Sequence, residues 1–249
     1  MNINLNNVKD IAQKAGEAIM RIYTKDFTIE YKDDKSPLTE ADTKSNEIIC
    51  EELMKLYPEI PILSEENKII PFDERKNWEY YWCIDPIDGT KEFIKKNGEF
   101  TVNIALIHKN RPVLGVVYAP ALDDMYSAKE GEGAFKNREK LPLKVNSDVK
   151  EKMFVVASKS HLSEETQVFI DALKTKEVEQ VSKGSSLKLC MVAEGEADIY
   201  PRLAPTMEWD TAAADAVVRE ARKMTYQYEN GEPMIYNKEN LLNPWFVVR

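Results

Sequence analysis

The sequence predicts an α/β fold with a largely antiparallel sheet in its N-terminal half and alternating strands and helices in its C-terminal half, on three observations. Apolar residues recur at helical spacing near the N-terminus. β-Branched and aromatic residues crowd into short runs between Tyr80 and Ala128. Beyond residue 150, strand-like and helical stretches take turns.

Val8, Ile11, Ala12, Ala15, Ala18, Ile19 and Ile22 define an amphipathic helix ending near Thr24. Thr39-Glu40-Ala41-Asp42 has the form of a capping box, and Ile48, Ile49, Leu53 and Leu56 continue the helix it opens, so Asp42 sits in a first helical turn. Ile60 to Leu63 is strand-like. Tyr80–Ile84, Phe100–Ile107, Pro112–Tyr118 and Met125–Ala128 are strands by composition, and His108-Lys109-Asn110-Arg111 is short enough for a hairpin, which makes part of the sheet antiparallel. The polar stretch Asn146–Lys152 marks an internal seam between an N-terminal half, 1–147, and a C-terminal half, 148–249. After it come strand-like Phe154–Ala157 and Asp198–Tyr200, with helices expected near Glu164–Leu173, Ser186–Ala193 and Thr211–Arg222.

Composition excludes several classes of function. A net charge of -9 argues against binding a nucleic-acid polymer, which needs clustered cations to displace phosphate counterions. No apolar run approaches the roughly 20 residues of a membrane span, and Met1–Lys14 has no signal-peptide pattern, so no transmembrane segment and a cytoplasmic location are expected. Cys50, Cys83 and Cys190 are dispersed and odd in number, which suggests buried reduced thiols. With only His108 and His161, an imidazole-rich zinc site is not expected, and any metal should be a hard one held by carboxylates.

The chemistry concentrates in Trp82-Cys83-Ile84-Asp85-Pro86-Ile87-Asp88-Gly89-Thr90, an apolar strand running into two carboxylates, a proline and a glycine. Read as a turn, it points Asp85, Asp88 and the Ile87 carbonyl into one space suited to oxygen-loving cations; a tight turn without a ligand would use the same residues. Thr90 then opens a helix whose backbone N–H groups could face a phosphate. Ser64-Glu65-Glu66 is a second acidic cluster at a strand end, or a capped helix start. Asp42 has its capping box as an alternative role, and Asp210 reads as an N-cap before Thr211-Ala212-Ala213-Ala214.

Taken together, Asp42, Ser64-Glu65-Glu66, Asp85 to Thr90 and Trp209-Asp210 resemble the metal-binding signatures of the inositol-monophosphatase superfamily of lithium-sensitive phosphatases. The resemblance implies a layered α/β/α/β/α fold. It also implies two or three Mg²⁺ ions on Glu65, Asp85, the Ile87 carbonyl, Asp88 and Asp210, with Asp42 and Thr90 orienting the attacking water and accepting its proton. Lys91-Glu92-Phe93-Ile94, Asn97 to Asn103, Gly184-Ser185-Ser186-Leu187-Lys188 and Tyr200-Pro201-Arg202 are similar to the bisphosphate nucleotidase branch.

That branch implies adenosine 3',5'-bisphosphate, or its sulfated analogue, as the small-molecule substrate, within the nucleotide recycling of sulfur assimilation, by a monomer or homodimer. Glu65, Ile87, Asp88, Gly89, Thr90 and Asp210 would surround the leaving phosphate. Gly184, Ser185, Ser186, Lys188, Arg202 and His161 would hold the rest of the nucleotide. Taken alone, the serines read as a helix cap, Lys188 as a solvated face and His161 as a loop cap. Ala214, where the family commonly has glycine, is expected to narrow the pocket. Phosphatases of inositol phosphate or fructose bisphosphate, and a catalytically silent nucleotide sensor, are the competing readings.

Overall fold

The computed structural model describes residues 3–25, 27, 29–31, 37–144, 152–157, 163–173, 175 and 177–249. Helices α1 (Leu5–Tyr23) and α2 (Glu40–Leu56) bracket a small β1–β2 ladder (Ile29–Tyr31, Pro37–Thr39). A seven-stranded sheet follows: β3 (Ile62–Ser64), β4 (Tyr80–Asp88), β5 (Thr101–His108), β6 (Arg111–Ala119), β7 (Asp124–Lys129), β8 (Gly133–Lys136) and β9 (Glu139–Lys140), paired in chain order. Only the β3–β4 pair is parallel. Short α3 (Phe72–Arg75) and α4 (Thr90–Ile94) flank β4. The expected hairpin joins β5 to β6, with Lys109 at φ +56 in its turn.

The second half contains β10 (Lys152–Val156), α5 (Glu164–Asp171), β11 (Glu177–Val181), α6 (Leu187–Glu194), β12 (Tyr200–Arg202), α7 (Glu208–Glu220), β13 (Thr225–Gln227) and β14 (Phe246–Val248). β10 pairs parallel with β11, and β14 lies between β12 and β13. An isolated parallel bridge from Val155 to Ile199, just before β12, sets the β10–β11 ladder beside the β12-β14-β13 sheet in one layer.

Side-chain alternation along these strands separates the layers. Trp82, Ile84, Ile104 and Val116 pack with Val8, Ile11, Ile19 and Ile49 of α1 and α2. Tyr81, Cys83, Ala105 and Val117 face the opposite way, onto α6 and α7, which are covered on their far side by Val156, Tyr200, Phe246 and Val248 of the second sheet. Val155, Ile199 and Val247 turn outward onto Ile170 of α5. The order is therefore helix, sheet, helix, sheet, helix, the layered α/β/α/β/α arrangement that the resemblance implies.

α7 lies very close to the first sheet, because a Cβ built at Gly115 would stand 2.2 Å from the Ala213 carbonyl oxygen. Only glycine permits that approach, which brings the N-terminus of α7 to the end of β4. The expected seam falls largely on residues 145–151, outside the described residues, and Lys152 opens β10. Cys83 and Cys190 are buried thiols as expected, whereas Cys50 is only half-buried.

Candidate active site

Because β3 and β4 run parallel, with Ser64 opposite Ile84, their carboxyl ends emerge side by side and deliver Glu65 beside Asp85. The Glu65 N–H donates to the Ile84 carbonyl at 3.1 Å and fixes that register. The segment read as a turn is instead a β-bulge. Asp85 opposes Asn103 and Asp88 opposes Thr101, so three steps along β4 match two along β5. A regular strand sends residues i and i+3 to opposite faces; the extra residue cancels that inversion. Ile87 accordingly points into the α1–α2 layer, while Asp88 lines a cavity on the other side. Pro86, which has no N–H to offer a ladder, occupies the bulge. Gly89 follows in the left-handed region at φ +91 and lets the chain turn into α4.

Two helix starts supply the remaining carboxylates by one device. Asp42 is the third residue of α2 and accepts the Thr39 N–H at 2.8 Å, as the capping box predicts. Asp210 is not an N-cap: α7 begins at Glu208, and Asp210 occupies the corresponding third position, accepting the Met207 N–H at 2.8 Å. Each carboxylate is thus held by a backbone donor and keeps an oxygen for other partners. For Asp42 that partner is the Thr90 hydroxyl, 3.2 Å away, which also lies 3.3 Å from the Ile87 carbonyl.

Carboxylate oxygens of Glu65, Asp85 and Asp210 all lie within 4.8 Å of one another. Burial raises the pKa of Asp85 well above the ordinary range, and the charges of Glu65, Asp88 and Asp210 push it further. Asp210 is pushed up to about 8, chiefly by burial and then by Asp88. Asp88 rises only to about 6, because the Lys188 ammonium and the Ser186 N–H oppose its burial. Burial also raises Asp42, against the hydrogen bonds from Thr39 and Thr90. Clustered acids that resist joint ionisation, with only oxygen donors present, match the requirements of a hard divalent cation and not those of a soft one.

Asp88 and Asp210 share a cavity of about 90 Å³ with Ser185, Ser186, Lys188 and Arg202. The structure therefore brings Asp88 and Asp210 of the acidic set together with Ser185, Ser186 and Lys188 of the Gly-Ser-Ser-x-Lys run and Arg202 of the Pro-Arg pair around one space, whereas Asp42, Glu65 and Asp85 do not line it. Ser186 precedes α6 but makes no side-chain cap; its hydroxyl donates to Asn103 Oδ1 at 2.9 Å, and the Gly184 N–H donates to Glu99 at 2.9 Å. Ser185 stands at φ +50. Lys188 is half-buried, not a solvated face, with Nζ 2.7 Å from the Ser185 carbonyl and its pKa lowered by burial despite the nearby Asp88. Arg202 Nε and Ser185 Oγ are buried and have no hydrogen-bond partner among the described residues.

Leu189, Tyr200, Thr206, Thr211 and Phe246 complete the lining, and of these only Tyr200, in the Tyr200-Pro201-Arg202 segment, belonged to a run that the sequence singled out for this space. Ala214 does not narrow this space: it is fully buried in the core between the sheets. His161 lies outside the described residues.

The profile of the inositol monophosphatase family matches residues 5–243. Proteins described as 3'(2'),5'-bisphosphate nucleotidase CysQ are 44% identical in Escherichia coli K12 and 45% identical in Salmonella typhimurium LT2, each over 98% of both chains. A crystal structure of CysQ from Bacteroides thetaiotaomicron, described as a bacterial member of the inositol monophosphatase family, superposes with a TM-score of 0.88 at 46% identity, covering 99% of this chain and 96% of that one. An inositol monophosphatase from Anabaena superposes at 0.77 with 25% identity, covering 98% and 89%.

Proposed function

The chain belongs to the inositol monophosphatase family, and from that premise we infer that it is a 3'(2'),5'-bisphosphate nucleotidase, hydrolysing adenosine 3',5'-bisphosphate and water to AMP and inorganic phosphate. The observation that carries the substrate assignment is the shared cavity: acids suited to a cation and unsatisfied phosphate donors open onto the same space. An inositol monophosphate would leave the second set of donors without a partner.

The donor set fits Mg²⁺, with Glu65, Asp85, Asp88, Asp210 and the Ile87 carbonyl as its holders. When bound, such ions supply charge stabilisation to the transferring phosphoryl group and acidify the attacking water. The chain's own residues do the rest. Asp42, with its raised pKa and its bond to the Thr90 hydroxyl, is placed to accept a proton, while Thr90 Oγ1 stands between the Asp42 carboxylate and the Ile87 carbonyl and orients the water. Lys188, Arg202 and Ser185 grip the phosphate that is not cleaved, and Ser186 keeps the loop seated against β5.

Phosphate release from adenosine 3',5'-bisphosphate, measured beside inositol 1-phosphate in the presence of Mg²⁺, tests this reading. Preferential release from the nucleotide with 5'-AMP as product is the expected outcome. Equal turnover of inositol 1-phosphate would return the chain to the inositol monophosphatase branch, and binding without turnover of either would make it a nucleotide sensor.

A further inference from the structure

One face of α2 touches two of the three segments that present the acidic cluster, the ends of β3 and β4. Asp42 meets Thr90 just beyond β4. One turn on, the Ser45 hydroxyl donates to the Pro86 carbonyl at 2.8 Å. Beside it, Asn46 Oδ1 accepts the Ser64 hydroxyl at 2.7 Å, immediately before Glu65. Ser45 is fully buried. A buried helical serine ordinarily bonds back to its own helix, four residues earlier; this one crosses to the bulge between Asp85 and Asp88. A bulge is a place where ladder hydrogen bonds are lost, so the Pro86 carbonyl needs a partner from elsewhere. Asp42 and Ser45 thus hold the two ends of the 86–90 segment, with Ile87 and Asp88 between them.

We propose that Ser45 is a positioning residue for the metal ligands, with Asn46 performing the same task for Glu65. Neither contacts the cation. They fix the relative placement of carboxylates that repel one another, as outer-shell hydrogen bonds do at other metal sites. The proposal rests on reading the acidic cluster as a divalent cation site.

The probe is Mn²⁺, titrated into the metal-free full chain and followed by electron paramagnetic resonance, with Mg²⁺ activation measured in parallel. Ser45→Ala should raise the Mn²⁺ dissociation constant roughly 10-fold and shift half-activation by Mg²⁺ in step, while kcat at saturating metal stays within about 3-fold. A purely structural serine would lower the melting temperature in EDTA and leave the Mn²⁺ affinity alone. Asn46→Ala, at a half-buried position, should weaken Mn²⁺ by a smaller factor and carries the test if Ser45→Ala does not fold. Parent-like Mn²⁺ affinity in the folded variants would overturn the proposal. Failure of the parent itself to bind Mn²⁺ would instead overturn the metal reading on which it stands.

Discussion

The acidic and cationic sides of the cavity are built by different means. The acids sit at element termini: Glu65 after β3, Asp85 and Asp88 across a bulge in β4, Asp42 and Asp210 at the third positions of two helices. Each is fixed by local backbone geometry, and backbone N–H groups hold Asp42, Asp85 and Asp210 directly. The cations come from the first turn of α6 and the last residue of β12 and are brought together by tertiary packing, each steadied locally: Lys188 leans on the Ser185 carbonyl, and Arg202 reaches the Pro205 carbonyl at 3.0 Å while Nε stays unpaired among the described residues. One side is dictated by short-range structure and made uncomfortable by repulsion. The other depends on how the second sheet packs over α6 and α7, and is left with donors to spare. On the proposed function, chemistry common to phosphate esters belongs to the first, and choice among them to the second.

Asp88→Asn gives the sharpest division and the largest expected effect. Loss of a ligand charge at the strand end should reduce kcat by at least about 10³-fold on the bisphosphate and on a small phosphate ester alike, comparable to losing other essential electrostatic groups. Circular dichroism and melting should remain close to the parent, since Asp88 is not part of the apolar core. A collapse of the fold would mean that the bulge is a structural joint and that the division between the two sides is false.

Arg202→Ala should separate the substrates. Removing a charge-assisted contact to the uncleaved phosphate is worth about 1.5–3 kcal/mol, read as a fall of roughly 10- to 150-fold in kcat/KM for adenosine 3',5'-bisphosphate. A phosphate ester with no second phosphate should be hydrolysed as by the parent. Equal losses on both substrates would assign Arg202 to the acidic side or to the fold.

The same difference decided what could be read from the sequence. Caps, strand ends and Asp-Gly-Thr turns are short-range patterns, so Asp42, Glu65, Asp85, Asp88 and Asp210 were all legible. Details still differed: the 85–88 segment is a bulge, since Pro and Gly serve bulges and turns equally, and Asp210 lies three residues inside its cap because Met207 and Glu208 are weak start signals. Lys188 and Arg202 were reachable only through a family likeness. Thr206 and Phe246 left no pattern, and Ser45 was missed because a serine on a helix says nothing about the strand 41 positions away to which it bonds. The layered order of the fold required knowing that Val155 meets Ile199, a pairing that sequence periodicity does not specify.

The last expected effect concerns stability, not rate, and its sign follows from burial of the acids together with their mutual repulsion. Asp88 titrates at about 6 and Asp210 at about 8 in the metal-free fold, both above the ordinary carboxyl value near 4 that applies once the chain unfolds. Between those limits the folded state binds more protons than the unfolded one, so stability falls as pH rises. The contribution is fully present below about pH 4 and is lost as pH passes through 6 and then 8. The metal-free protein should therefore melt at a lower temperature at pH 8 than at pH 5, by roughly 2–4 °C for each kcal/mol lost in a chain of this size. Mg²⁺ should oppose the trend, because ligands must be deprotonated to bind it and a ligand of the folded state stabilises that state. The rise in melting temperature on adding Mg²⁺ should be greater at pH 8 than at pH 5. Asp210→Asn should flatten the metal-free profile in its upper range, whereas Arg202→Ala should steepen it, since Arg202 favours the ionised form of Asp210. A metal-free melting temperature that climbs from pH 5 to pH 8 would mean that burial and mutual repulsion do not hold these acids above their ordinary range, and the contrast between the two sides of the cavity would fail.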